Sequence, residues 1–142
     1  MSQLNWDDVD GGVWADAVDN RQPFLLQESM GDPVLPNIGS EVAAASVGAV
    51  QVGAVLQPVS GVERTESAAG RSAITQYRVP RAVTTPLDVH GFAARDTPAG
   101  VAAREQIESF LRSVWTGESE ITVPPTCTRN TPAGSCDFAS SQ

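Results

Sequence analysis

Lysine is absent from this chain of 142 residues, so nine arginines carry all of its fixed positive charge. Against them stand 17 acidic residues, for a net charge of −8 and an isoelectric point near 4.4. That balance argues against a nucleic-acid binder, which must neutralise phosphates with a basic surface. A GC-rich coding sequence depletes lysine, and so does a halophilic habitat, although 17 acids is mild for the latter. Physically, an all-arginine chain is suited to planar, bidentate contacts at interfaces.

Long apolar runs are also missing, which excludes a membrane-spanning helix. The opening residues Met1 to Asp8 are acidic and contain neither a basic stretch nor an apolar one. They do not read as a secretory signal, and synthesis in the cytoplasm is expected. Core-forming residues are few. Leu, Ile, Val and Phe total 32 of 142, and aromatics are 6%. Such a chain has one modest core at most, and its order is expected to come partly from neighbouring subunits.

Catalytic and metal-binding signatures are scarce as well. There is one histidine, His90, and two cysteines, Cys127 and Cys136. Two thiolates and one distant imidazole do not complete a tetrahedral zinc site. The cysteines lack the Cys-x-x-Cys spacing of a redox enzyme. No Gly-x-Ser-x-Gly, phosphate loop or dinucleotide fingerprint occurs. Asp7, Asp8 and Asp10 before Gly11 and Gly12 have some character of a calcium loop, but the later ligands fail: Asp19 stands where glutamate is needed. His90 with Asp88 on the same strand face is the one pair from which an enzyme site could be built across subunits. Neither a cofactor nor a metal is expected.

What is present divides the chain into three parts. Residues 1–40 read as an extended arm, interrupted by Pro23, Pro33, Pro36, Gly31 and Gly39. Asp10 to Val18 has the pattern of a short helix with Val13, Trp14 and Ala17 on one side. Residues 41–117 read as a small α+β core, with three to four short strands and one amphipathic helix. Its first strand lies in the tandem Val47-Gly48-Ala49-Val50-Gln51, Val52-Gly53-Ala54-Val55-Leu56. Residues 60–71 read as a polar loop. Ser72 to Val79 alternates, with Ala73, Thr75, Tyr77 and Val79 on one face. Val83 to Val89 suggests an edge strand, because Pro86 interrupts it.

The helix is expected over Pro98 to Thr116. Thr97 suits its N-cap, Pro98 its first position and Gly117 its end. Ile107, Phe110, Leu111 and Val114 make one apolar stripe, expected to cover the sheet together with Trp115. Arg104, Glu108 and Arg112, four apart, line the opposite side and can pair. Residues 118–142 read as an irregular tail, with a short strand at Ile121 to Val123. Between the cysteines, Asn130 to Gly134 is turn-rich, and a bridge from Cys127 to Cys136 would stabilise the loop by roughly 2–3 kcal/mol. Oxidation of that kind fits a particle that leaves the reducing cytoplasm.

These features together suggest a non-enzymatic structural subunit of a large assembly. The expected kind is a bacteriophage virion protein: a capsid decoration or cement protein, or a head–tail or tail component. Its partners would be capsid or tail proteins and copies of itself, with no nucleic acid and no membrane. Trp6, Trp14, Phe24, Leu25 and Leu26 in the arm, and Phe138 in the tail, are the expected interface anchors. Arg78, Arg81 and Arg95 are candidates for bidentate contacts with acidic neighbours. The alternative is a small soluble binding or regulatory module that folds by itself.

Overall fold

A computed structural model describes residues 22–80, 85–131 and 135–139. The alternating run after Ser72 forms the central strand, and the rest is arranged around it. In chain order the elements are β1 (Leu25–Ser29), α1 (Asn37–Ser46), β2 (Val50–Val52), β3 (Glu63–Thr65), β4 (Ser67–Ala69), β5 (Ala73–Tyr77), α2 (Pro86–His90), a 3-10 turn (Phe92–Ala94), α3 (Pro98–Thr116), β6 (Glu120–Thr122) and α4 (Pro125–Asn130). The class is α+β. Four strands form one sheet in the order β1-β5-β2-β3, with parallel pairing throughout. β4 and β6 make a separate antiparallel pair.

Parallel strands need both faces covered, and alternation along them divides the side chains between two layers. Leu26 and Ile74 point toward α1, where they meet Ala44, Val47 and Ala49. Leu25, Ala73, Val50 and Val52 point the other way and pack with Phe110 of α3 and Ile121 of β6. Ala73, Thr75, Tyr77 and Val79 do share a face: Ala73 packs near Phe110, Thr75 bonds to α3, and Tyr77 and Val79 join Phe92, Ala99, Ala102, Ala103 and Phe138.

The helix expected over 98–116 is present with its caps. Thr97 Oγ1 accepts from Gly100 N, Pro98 opens the helix, and Gly117 closes it at φ 88°. Its rotation differs from the expectation. The face on the sheet is Ala99, Gly100, Ala102, Ala103, Gln106 and Phe110, whereas Ile107, Leu111, Val114 and Trp115 are exposed. The reason is close approach. A Cβ at Gly100 would lie against the Arg95 carbonyl oxygen and 2.6 Å from that of Phe92. Small residues therefore face inward, where dense packing repays their lack of bulk.

The tandem at 47–56 is not one strand. Its two glycines act as punctuation: Gly48 (φ 64°) follows α1, and Gly53 (φ 88°) follows β2. Only Val50–Val52 pairs in the sheet. The loop expected at 60–71 contains β3 and β4 instead. Residues 81–84 lie outside the described set, and Pro86–His90 is helical rather than an edge strand, with Thr85 and Asp88 forming a capping box. Proline at the start of a helix is as well suited as at a sheet edge.

Two boundaries also change. Of the arm expected over residues 1–40, Leu25–Ser29 instead pairs along its whole length with β5 and the chain from Asn37 is helical, while residues 1–21 lie outside the described set. Nor is the tail loose. The Cys127–Cys136 disulfide is formed, both sulfurs are buried beside Phe138, and the backbone of Arg78 bonds to Cys136 and Phe138 on either side of an isolated bridge to Asp137.

Candidate functional site

Three surfaces outside the core have the chemistry to act. The first is the outer side of α3. Rotation of the helix onto its small residues leaves Trp115 92% exposed and Leu111 59% exposed. With Ile107 they line an open groove of about 550 Å³, bounded by Arg104, Glu108 and Arg112. The spacing by four noted in the sequence produces an ion pair, Arg112 to Glu108 at 2.6 Å. Arg104 is held in place by the carbonyls of Ala93 and Arg95 at 2.7 and 2.8 Å. A second apolar face lies across the sheet on α1, where Ile38 and Val42 are exposed one helical turn apart, next to Leu35.

The second surface is a small polar cavity of about 140 Å³ where β1 ends, lined by Glu28, Asp32, Asn37, His90 and Phe92. Asn37 ties it together, donating to the Ser29 carbonyl and to Glu28, and accepting from Gly31 N. Burial raises the Glu28 pKa against the hydrogen bonds from Gln76 and Asn37, and the nearby Glu41 charge adds to the rise. Asp32 receives Val34 N and Leu35 N on one oxygen and faces His90 Nδ1 at 2.8 Å with the other. Burial works to raise its pKa, but the His90 contact and the two backbone bonds outweigh that and lower it.

This corrects the pairing read from the sequence. Asp88 does not face His90: it caps α2 through Thr85 and pairs with Arg95 at 2.7 Å. The Thr85 bonds hold its carboxyl below the ordinary value, with Arg95 helping. Asp32 is the partner of His90, and its distance of 58 positions in sequence hid it. Of the two serines that line the cavity, Ser29 and Ser40, Ser29 Oγ donates to the Val89 carbonyl at 2.7 Å. Among the described residues no group of three His, Cys, Asp or Glu side chains is placed to hold a metal.

The third surface is a wide, open groove of about 960 Å³ beyond the end of β2, lined by Gly53, Arg64, Glu66, Thr122 and Thr128 among others. Its lining mixes both charges and has no buried polar group directed into it.

The candidate anchors separate on this framework. Trp6, Trp14 and Arg81 lie outside the described residues. Phe24, Leu25 and Leu26 are half-buried against the chain's own clusters. Phe138 is buried in the cluster that holds Tyr77 and Phe92 of the same chain. Arg78 pairs with Asp137 at 2.7 Å and Arg95 with Asp88, so both engage acids of this chain rather than of a neighbour. The exposed anchors are on α3 and α1. Those on α3 are the apolar stripe that the sequence reading turns toward the sheet, whereas Ile38 and Val42 lie on a helix that the sequence reading does not expect. No helix among the described residues is long and apolar enough to cross a membrane. Comparison with known proteins returns no match to a family model, a curated protein or a solved structure.

Proposed function

We propose that this chain is a non-enzymatic structural subunit of a larger protein assembly, of the virion decoration or head–tail kind that its sequence suggests. The observation that carries the reading is the pair of exposed apolar faces on opposite sides of one sheet: Trp115, Leu111 and Ile107 on α3, and Ile38 and Val42 on α1. A subunit with two such faces can be joined on both sides. Exposed large apolar patches of this sort mark interaction sites, and fully burying one side chain of Leu or Ile size gains about 1.5–3 kcal/mol. Contact through the helices replaces the earlier expectation of contact through Phe24, Leu25, Leu26 and Phe138, which the chain uses for its own core.

The non-enzymatic part of the proposal is supported by the engagement of Ser29 and by the position of His90, which locks the turn after β1 to α2. A second reading, a self-sufficient binding module, is favoured by the buried core around Tyr77 and the disulfide. Sedimentation of the purified chain separates the two. Assembly through the helices is expected to give reversible, concentration-dependent association that Ile38→Asp together with Val42→Asp weakens at least tenfold, about 1.4 kcal/mol. A chain that stays monomeric from micromolar to millimolar concentration refutes self-assembly and leaves the binding module.

A further inference from the structure

We infer that the outer edge of β1 pairs with the same edge of a second copy of this chain, antiparallel about a twofold axis, joining two four-stranded sheets into one. The inference rests on the assembly reading and names a contact between copies that the helix faces do not supply.

Alternation decides which groups of β1 are open. β1 is the first strand in the order β1-β5-β2-β3, so β5 pairs with one side of it only. At one end of that ladder Ala73 N donates to the Phe24 carbonyl, and at the other Met30 N donates to the Tyr77 carbonyl. Successive residues of a strand turn their backbone groups to opposite sides, so Phe24, Leu26, Glu28 and Met30 turn theirs to β5. Leu25, Gln27 and Ser29 turn theirs outward. The Ser29 carbonyl is taken by Asn37 Nδ2 at 2.8 Å. Among the described residues, nothing takes the backbone N–H or carbonyl of Leu25 or Gln27, and both residues are only half-buried.

These open groups fit their own copies. With Leu26 on the axis, Leu25 stands opposite Gln27 of the second copy, and Gln27 opposite Leu25 of the second copy. Each pair exchanges two bonds, as directly opposed residues of an antiparallel ladder do, so every open group of Leu25 and Gln27 is used. One step further out, Pro23 meets Ser29 of the second copy. Pro23 has no N–H, and the carbonyl that such a group would have met is the one Asn37 already holds. Moving the axis to Gln27 would bring the Leu25 N–H to that occupied carbonyl. Moving it to Leu25 would leave the Gln27 carbonyl facing Pro23. The edge therefore specifies its own register.

Charge agrees with this pairing. Leu25, Leu26 and Gln27 are uncharged, and Glu28 falls opposite Phe24 of the second copy, so no like charges face each other across the joint. The Glu28 carboxylate is engaged within its own chain by Gln76 and Asn37. The other edge of the sheet is protected in the usual way: β3 is Glu63-Arg64-Thr65, exposed and charged, with Glu63 paired to Arg71 at 2.9 Å. β1 has no such protection between Leu25 and Gln27.

The test uses the full-length chain. Amide exchange at Leu25, Leu26, Gln27 and Glu28 is followed residue by residue by NMR, over the concentrations at which sedimentation detects association. In dilute solution Leu25 and Gln27 are expected to exchange at least about tenfold faster than Leu26 and Glu28, and in the associated chain to slow by at least about tenfold. Leucic acid incorporated at position 25 keeps the side chain and replaces the outward N–H by an ester oxygen. It is expected to weaken association at least about tenfold, with the melting curve of the dilute chain unchanged. Association in which Leu25 and Gln27 still exchange fast, or which the ester leaves unweakened, overturns the inference while the assembly reading stands. A chain that stays monomeric overturns both and leaves the edge to an extended segment of another protein. Protection of the two amides that survives Ile38→Asp with Val42→Asp supports the edge and tells against the helix faces.

Discussion

Replacing Gln106 by leucine is expected to cost about 3 kcal/mol, although shape and volume hardly change. Gln106 is 1% exposed, in the middle of the face of α3 that rests on the sheet. Its amide uses its whole hydrogen-bonding capacity. Oε1 accepts from Gln27 Nε2 and from the Tyr77 hydroxyl, both at 2.8 Å. Nε2 donates to Thr75 Oγ1 and to the Thr122 carbonyl, both at 2.9 Å. One side chain thus links β1, β5, β6 and α3. Four bonds at about 0.5–1.5 kcal/mol each amount to roughly 4 kcal/mol, and the apolar gain of a buried leucine offsets part of that. The loss falls mostly on Tyr77. Its hydroxyl is fully buried, burial pushes its pKa up, and its proton has Gln106 as acceptor. Gln27 keeps the Ala103 carbonyl at 3.0 Å and suffers less. Urea denaturation followed by circular dichroism measures the change. A double variant with Tyr77→Phe removes the orphaned hydroxyl and is expected to recover about 1 kcal/mol. A Gln106→Leu chain within 1 kcal/mol of the unaltered one would refute the idea that this network, rather than apolar contact, holds α3 on the sheet.

Gly100→Ala is expected to destabilise the fold by about 2 kcal/mol or more, because the new Cβ would meet the backbone carbonyls of Arg95 and Phe92, which have no rotamer to relieve the clash; a chain with unchanged thermal stability would show that the 3-10 turn shifts freely. Stability is also expected to fall as pH rises from 4.5 toward neutrality through the raised pKa of Glu28. That group binds its proton more tightly in the folded chain, so its contribution is complete below its ordinary value of 4.5 and is lost above the raised one. Asp32 and Asp88 have lowered values, so their contribution is present above 3.8 and is lost only as pH falls through the lowered values. Thermal melts across this range should therefore show a slope that Glu28→Gln flattens, and an identical slope in that variant would exclude Glu28 as its source.

Local chemistry was legible wherever a short stretch decides the outcome. Thr97, Pro98 and Gly117 marked both ends of α3 because capping depends on a few adjacent backbone groups. The alternation after Ser72 identified β5 and the face it turns to α3, since side chains on a strand alternate regardless of what lies above them. The Cys127–Cys136 bridge followed from spacing and turn residues. The sequence by itself therefore determined the α+β class, the best helix, the central strand and the disulfide loop.

Rotation of α3 was decided by the tertiary structure. An apolar stripe at Ile107, Leu111 and Val114 reads as a core face, but the free energy of close packing at Ala99, Gly100, Ala102 and Ala103 and the four bonds of Gln106 turned the helix the other way. No local pattern shows that a glutamine is to be the buried centre of a network, because its four partners come from three strands, β1, β5 and β6. The same is true of His90 and Asp32, which meet only because β1 and α2 end at one edge. Sequence patterns report which side chains are apolar. Which of them remain outside, available to a partner, depends on how closely backbones can approach, and only the assembled sheet and helices determine that.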